Sequence, residues 1–102
     1  MQISVTDRAS QWFQDEMGLQ HGMGVRFFGK VYGKTPVHDG FSIGMSRDDH
    51  PIDPIVDTEK DGIHYFVAEL DEWFFKGFDL TIEYDPKTDG PIYEYQQNNE
   101  LE

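Results

Sequence analysis

The sequence lacks cysteine altogether. This absence excludes a disulfide framework, metal ligation by thiolates and a cysteine nucleophile. Long apolar runs are also absent, since none reaches the roughly 18 residues that a membrane-spanning helix needs. The first ten residues, MQISVTDRAS, contain neither the basic nor the apolar region of a secretory signal peptide. Together these features predict a cytoplasmic protein that is not inserted in a membrane.

Basic residues are scarce: eight Lys and Arg side chains stand against twenty Asp and Glu, which gives a formal net charge of −12. The negative charge is concentrated in the C-terminal half of the chain. Residues 1–47 carry a net charge of +1 (five basic, four acidic), and residues 48–102 carry a net charge of −13 (three basic, sixteen acidic). Such a surface repels the phosphates of nucleic acids and of anionic membranes. The acidic half favours one of two interpretations: general solubility, or a surface that binds a basic protein partner.

The chain has enough apolar material for one core. It contains 102 residues, of which 37% are hydrophobic and 15% aromatic, and a chain of this length is typical of one domain. We predict a single domain over residues 1–96, followed by a tail over residues 97–102. The final Leu101-Glu102 is typical of an expression-vector remnant.

Local patterns predict two helices and six strands. A Thr6-Asp7 cap, apolar residues at helical spacing and Gly18 predict an N-terminal helix, and apolar spacing predicts a second, short helix in residues 68–77. Alternating apolar residues predict strands at residues 25–31, 41–46, 55–59, 63–67, 80–84 and 92–95. Hairpin connections dominate, and the crossover helices of a parallel sheet have no room. We therefore predict an α+β domain, mainly antiparallel β, with an N-terminal helix and a short helix before the last two strands.

The short helix carries three consecutive aromatic residues, Trp73, Phe74 and Phe75. Leu70, Trp73 and Phe74 fall at helical spacing and are predicted to form its apolar face. If exposed, the aromatic residues supply an anchor for a partner; if buried, they belong to the core. We expect core packing for at least two of the three.

The segment GVRFFGKVYGKT contains two near matches to the phosphate-binding loop G-x-x-x-x-G-K-[ST]. Gly24–Lys30 supplies two glycines and a lysine, but Val31 follows where Ser or Thr is required. Residues 29–35 end in Gly-Lys-Thr, but their glycines are one residue too close. A working loop also precedes a helix whose N-terminus holds the phosphates, whereas Pro36 and a strand pattern follow here. We interpret both matches as false.

The four histidines form neither an H-x-x-x-H nor an H-E-x-x-H pattern. In the loop at residues 46–54, Asp48, Asp49 and His50 offer two carboxylates and an imidazole, which suit a hard or borderline metal ion. His38 lies in the preceding bend. These four residues are the candidate metal ligands, and a solvated acidic loop is the alternative interpretation. No G-x-S-x-G motif indicates a nucleophilic serine.

Four segments carry a family resemblance: ISVTDRASQWFQ, GVRFFGKVYGKTPVHDGFSIG, EKDGIHYFVAELDEWFFKGFDLTIEYD and GPIYEY. Together they resemble the HesB/IscA-like family of iron–sulfur cluster biosynthesis proteins, in particular its small HesB-like (YneR-like) branch. The resemblance covers residues 3–95, and the third segment is the most specific. It implies the HesB-like domain fold.

The resemblance also implies where a cluster would bind. Cluster-carrying members of the family use three cysteines, one after a glycine in the first hairpin and two in a C-terminal Cys-Gly-Cys. Gly33 matches the hairpin glycine, but Lys34 stands at the cysteine position, and the tail reads QQNNELE. All three thiolates are missing, and the ammonium group of a lysine repels iron. The resemblance thus implies the fold without a cluster cofactor.

We therefore expect a non-enzymatic, cysteine-free relative of the iron–sulfur carriers. It has no cofactor and binds a protein partner through its acidic surface, as a monomer or a weak homodimer. The alternative is mononuclear binding of iron or zinc by His38, Asp48, Asp49 and His50. A small hydrolase is a third hypothesis, which no motif in the sequence favours.

Overall fold

The computed structural model of the protein describes residues 1–30 and 42–98. The elements in this part of the chain are β1 (Ile3–Val5), α1 (Asp7–Met17), β2 (Gly24–Lys30), β3 (Ser42–Arg47), β4 (Pro54–Lys60), β5 (Ile63–Ala68), a 3₁₀ turn (Glu69–Asp71) that leads into α2 (Glu72–Phe75), β6 (Phe78–Asp85) and β7 (Gly90–Gln97). This order confirms the predicted α+β class, with one helix near the N-terminus and a short one before the last two strands.

Helix α1 begins and ends where its capping residues predict. The Thr6 hydroxyl accepts a hydrogen bond from the backbone N–H of Ala9 at 3.3 Å, and Gly18 ends the helix with a left-handed φ of 61°. A side-chain oxygen at the N-cap satisfies an otherwise unpaired N–H, and glycine adopts positive φ without strain. Phe13, on the inner face, is fully buried. The helix therefore covers the core with a capped, well-defined segment.

The described strands form two sheets, one in the order β1-β6-β7 and the other in the order β3-β2-β5-β4. The hairpin pairs β2–β3, β4–β5 and β6–β7 are antiparallel, as predicted. The expectation that parallel pairing has no room was wrong, because β1 pairs parallel with β6, and β2 with β5. Only β3 and β4 lie between β2 and β5, so no crossover helix indicates that parallel pair. Both helices and four strands lie between β1 and β6, so that connection does not have the pattern of a simple strand–helix–strand crossover.

The short helix buries a different face from the predicted one. Phe74 and Phe75 are 0% and 1% exposed, whereas Trp73 is 52% and Leu70 69% exposed. Core packing of at least two of the three aromatic residues is thus confirmed. The placement of Leu70 and Trp73 on the apolar face was wrong. A 3₁₀ turn precedes the four residues of α2, so the spacing of a continuous α-helix does not apply there.

An aromatic cluster joins α1 to the four-stranded sheet. Phe13, Phe27 and Tyr65 are fully buried, and the ring centroid of Phe13 lies 5.9 Å from that of Phe27 and 5.6 Å from that of Tyr65. The hydroxyls of Ser10 and Tyr65 share a buried hydrogen bond of 2.9 Å. Ring packing and this bond together fix the helix against β2 and β5.

The helices of the described residues are short, and α1, the longer of the two, has 11 residues. A helix that crosses the hydrocarbon core of a membrane needs about 20 apolar residues. Within residues 1–30 and 42–98, no helix has the length and apolar character for such a crossing.

Candidate functional site

The predicted ligand residues fall in two places. Lys34 and His38 lie outside the described residues. Asp48, Asp49 and His50 lie directly after β3, in the loop that leads to β4. The contacts of the two carboxylates indicate what these side chains do in the folded protein.

The carboxylate of Asp49 is held by Arg47. Arg47 donates from Nε to Oδ1 at 3.2 Å and from Nη2 to Oδ2 at 2.9 Å, and the backbone N–H of Gly24 donates to Oδ1 at 3.2 Å. The hydrogen bonds from Arg47 lower the pKa of Asp49 below the usual range for aspartate. Two parallel hydrogen bonds are the strong form of an arginine–carboxylate pair. A metal ion at Asp49 would therefore compete with the guanidinium of Arg47 for this carboxylate.

Asp48 closes the same loop. Its backbone N–H donates to the carbonyl of Gly24 at 3.0 Å, and its Oδ1 accepts from the backbone N–H of His50 at 3.0 Å. An aspartate that binds the N–H two residues further on is typical of a turn. Among the described side chains, no three His, Asp or Glu residues are grouped so as to hold a metal ion. The four-residue metal site stays a prediction, because His38 is not among the described residues.

A groove of about 480 Å³ lies between this loop and the 3₁₀ turn after β5. Phe66 and Ala68 of β5, both buried, line its inner part, and Ile52 and Leu70 line its outer edges. Ile52 is 75% exposed and Leu70 69% exposed, so neither side chain stabilises the core by its burial. We call this feature the β5 groove.

Charged side chains line the β5 groove as well. Asp48, Asp53, Glu69 and Arg26 contribute three carboxylates and one guanidinium, and His50 lies beside them. The backbone N–H of Glu69 donates to the carbonyl of Asp53 at 3.2 Å. This bond ties the loop to the 3₁₀ turn, so the two edges of the groove are fixed relative to each other. The result is an apolar depression with a carboxylate-rich edge.

The positive charge of Arg26 is paired inside the protein. Its Nε lies 3.6 Å from Oδ2 of Asp71, whose side chain is only 7% exposed, and its guanidinium lies over the ring of Phe28, 4.9 Å from the centroid. Burial raises the pKa of Asp71, and the charge of Arg26 offsets part of that increase. Because Arg26 neutralises Asp71, the three carboxylates that line the groove remain in excess.

The β5 groove was missed in the interpretation of the sequence. The pairing of Arg26 with Asp71 joins two residues far apart in the chain, and no local pattern indicates it. A signal was present in two apolar residues with acidic neighbours: Ile52 lies in the run Pro-Ile-Asp-Pro, and Leu70 stands between Glu69 and Asp71. Both side chains prove to be exposed, although helical spacing had placed Leu70 on the apolar face of the short helix.

Relatives of this chain are found in several bacteria, although no protein-family model matches it. A Bacillus subtilis protein named pyruvate dehydrogenase inhibitor is 38% identical over 96 residues, which cover 94% of this chain and 100% of the relative. An uncharacterized protein of Staphylococcus saprophyticus is 31% identical over 85 residues (81% of this chain, 87% of the relative). An uncharacterized protein of Staphylococcus aureus is 32% identical over 78 residues (74% and 80%).

Two solved structures share the fold. Escherichia coli SufA, which is involved in the biosynthesis of iron–sulfur clusters, matches with a TM-score of 0.58 and 22% identity, over 94% of this chain and 80% of SufA. A structure of IscA with the [2Fe–2S] cluster matches with a TM-score of 0.53 and 12% identity, over 95% of this chain and 83% of IscA. These matches confirm the HesB/IscA-like fold. Because the sequence identity is so low, they show the fold and not the function.

The donor chemistry of this chain does not fit the cluster seen in IscA. Iron in such clusters is held by cysteine thiolates, and the sequence contains no cysteine. The two carboxylates after β3 are engaged with Arg47 and with the backbone of their own loop. The chain therefore shares the scaffold and lacks the thiolate ligands.

Proposed function

We propose that this chain, which has the HesB/IscA-like fold and belongs to the same family as the Bacillus subtilis protein named pyruvate dehydrogenase inhibitor, inhibits pyruvate dehydrogenase as a cluster-free binding protein. The observation that carries the proposal is the 38% identity over the full length of that relative. The match covers the whole relative, so every segment of the relative aligns with a segment of this chain.

The missing cysteines support the cluster-free part of the proposal. A carrier must hold its cluster through soft thiolate ligands, and the sequence has none to offer. An inhibitor that works by binding needs a folded surface and no cofactor. The same scaffold can therefore serve this role after its ligands are lost.

The acidic surface supports the binding of a protein partner. The net charge of the chain is −12, and such a charge speeds the encounter with a basic surface and selects against acidic ones. Under this proposal the pyruvate dehydrogenase complex supplies the basic surface. The contact is electrostatic in part and must weaken as salt is added.

One acid–imidazole pair is present among the described residues. Nδ1 of His64 lies 3.2 Å from Oδ1 of Asp57, the arrangement in which an acid orients a catalytic imidazole. The hydroxyl of Ser10 is fully buried and bonded to Tyr65, so it is not accessible to a substrate. The proposed binding role rests on the identity to the relative and on the net charge of the chain.

The rate of NADH formation by the purified pyruvate dehydrogenase complex of the host organism tests the proposal. The protein is titrated from below one equivalent to about tenfold excess, and we expect the rate to fall with dose and the two components to co-elute at low salt. Polyglutamate at the same total charge is the control for a general polyanion effect. An unchanged rate at tenfold excess, without co-elution, would contradict the proposal.

A further inference from the structure

We propose that the β5 groove is the contact surface for the partner, and that it takes an extended protein segment in which an apolar side chain stands next to a basic one. The apolar side chain lies between Ile52 and Leu70, and the basic one faces Asp53 and Glu69. The inference rests on the proposed function for the existence of a protein partner, and it adds the place and the chemistry of the contact.

The distribution of exposed apolar side chains is the first argument. Four large apolar side chains of the described residues are exposed: Ile52, Leu70, Trp73 and Ile92. Two of them, Ile52 and Leu70, form the edges of the groove, whereas Trp73 and Ile92 do not line it. Exposed apolar residues that gather around one depression mark an interaction site more often than scattered ones do. Covering them with a partner removes apolar area from water, which favours binding.

The charge of the groove determines which partner fits. The carboxylates of Asp48, Asp53 and Glu69 line the groove. The positive charge of Arg26 is paired with Asp71. An apolar segment with acidic flanks would be repelled, and one with a neighbouring lysine or arginine would be attracted. The complementary occupant is therefore an apolar residue next to a basic one.

Backbone hydrogen bonds order the groove in the absence of a partner. Its outer loop is fixed by the bond from the Asp48 N–H to Gly24 and by the bond from the Glu69 N–H to Asp53. The pairing of Pro54 with Ala68 joins β4 to β5 beside it. A surface that is already ordered loses little conformational entropy on binding. The groove therefore suits a short, flexible segment of a larger protein.

The same charges argue against other occupants. Nucleic acid is repelled by a net charge of −12. A second copy of this chain would bring the same three carboxylates to the contact, and like charges at an interface oppose association. The groove is large enough for two or three side chains, at about 480 Å³, which matches an anchor residue and its neighbours.

Two synthetic peptides test the groove without any enzyme. They are Ac-Gly-Lys-Leu-Arg-Gly-amide and its acidic counterpart Ac-Gly-Glu-Leu-Asp-Gly-amide, each added at millimolar concentration to ¹⁵N-labelled protein. We expect the basic peptide to shift the backbone amide signals of Asp53, Ala68 and Glu69, and the acidic peptide to leave them in place. Equal shifts with both peptides, or shifts on other elements only, would overturn the proposal.

Substitutions at the groove edges provide the second test. Leu70→Ser removes an exposed apolar side chain at the groove, and Ile92→Ser on β7 is its matched control in the other sheet. We expect Leu70→Ser to weaken binding of the pyruvate dehydrogenase complex by about 10- to 100-fold, the effect of losing one buried apolar contact. Ile92→Ser should bind as the original protein does. Equal binding by both variants would contradict the assignment of the contact to the groove.

The carboxylate-rich edge of the groove is tested in the same way by Glu69→Lys. Glu16→Lys on α1 is the control, because it changes the net charge by the same amount. Glu69→Lys should lose the response to the basic peptide and weaken complex binding at low salt, whereas Glu16→Lys should change affinity by about twofold or less. A similar loss in both variants would mean that only the net charge matters, and the groove would be ruled out.

The inhibition assay and the groove experiments distinguish a failure of the proposed function from a failure of the groove assignment. If the protein neither inhibits nor binds the pyruvate dehydrogenase complex, the proposed function fails, and the peptide experiment decides the groove alone. If the complex is inhibited but neither the peptides nor Leu70→Ser have an effect, the function stands and the groove is wrong. A homodimer that Leu70→Ser dissociates, seen by light scattering, would assign the groove to a second copy and overturn the proposal.

Discussion

Replacing Arg26 by methionine removes the counter-charge of a buried carboxylate and is predicted to destabilise the fold. Nε of Arg26 lies 3.6 Å from Oδ2 of Asp71. At that separation two unit charges attract by about 4–5 kcal/mol when the effective dielectric constant is about 20. Breaking a buried pair from one side costs about 3–5 kcal/mol. Because Arg26 is 28% exposed and partly screened, we expect a loss of about 2–3 kcal/mol in the free energy of unfolding.

The loss depends on pH in a defined direction. Burial raises the pKa of Asp71 in the folded protein, the charge of Arg26 offsets part of that rise, and removal of Arg26 raises the pKa further. An acid whose pKa is higher in the folded than in the unfolded state weakens the fold once it ionises, and protonation removes this penalty. The deficit of Arg26→Met relative to the original protein should therefore be largest near pH 7.5 and should shrink as the pH is lowered towards 4.5.

Urea denaturation followed by the fluorescence of the two tryptophans measures this deficit at both pH values. Arg47→Met is the control, because it removes the cation of an ion pair that is more exposed, and it should lower the free energy of unfolding by about 1 kcal/mol or less. Adding Asp71→Asn to Arg26→Met should recover part of the loss, since no buried charge is then left unpaired. A deficit that is equal at both pH values, or the absence of one at pH 7.5, would mean that Arg26 does not compensate a buried charge on Asp71.

Four further outcomes are expected. Thr6→Ala, which removes the N-cap of α1, should lower the free energy of unfolding by about 1 kcal/mol in urea titrations. Tyr65→Phe leaves the buried hydroxyl of Ser10 without its tyrosine partner and should lower it by about 1–2 kcal/mol in the same assay. The affinity for the pyruvate dehydrogenase complex should fall as sodium chloride is raised from 50 to about 500 mM, and a salt-independent affinity would count against the acidic surface. For the alternative metal site, the double substitution Asp49→Asn and His50→Ala should abolish any thermal shift caused by iron or zinc; an unchanged shift would exclude these ligands.

The parts of the fold that follow from neighbouring residues were predictable. Thr6 and Gly18 set the ends of α1, because an N-cap oxygen and a left-handed glycine act within one helical turn. Asp61 and Gly62 have positive φ values of 54° and 79° in the hairpin between β4 and β5, as the Asp-Gly dipeptide predicts. These signals are local in sequence and in space, so the sequence alone was sufficient for them.

Features that depend on distant residues were not predictable in the same way. Ile3 pairs with Leu80 across a parallel ladder, and both helices and four other strands lie between the two residues in the chain, so no local pattern indicates the pairing. The β5 groove depends on a second long-range contact, since Arg26 is neutralised by Asp71 only in the folded structure. Helical spacing also misplaced Leu70, because one 3₁₀ turn rotates the side chains that follow it. The family resemblance supplied the fold that local patterns could not.

We propose that this protein inhibits pyruvate dehydrogenase without a bound cluster. The most direct measurement is the rate of NADH formation by the host pyruvate dehydrogenase complex, with protein prepared in EDTA and checked for iron and sulfide. We expect this metal-free protein to inhibit the complex in a dose-dependent manner. An uninhibited rate, or inhibition that appears only after iron and sulfide are added, would contradict cluster-free inhibition.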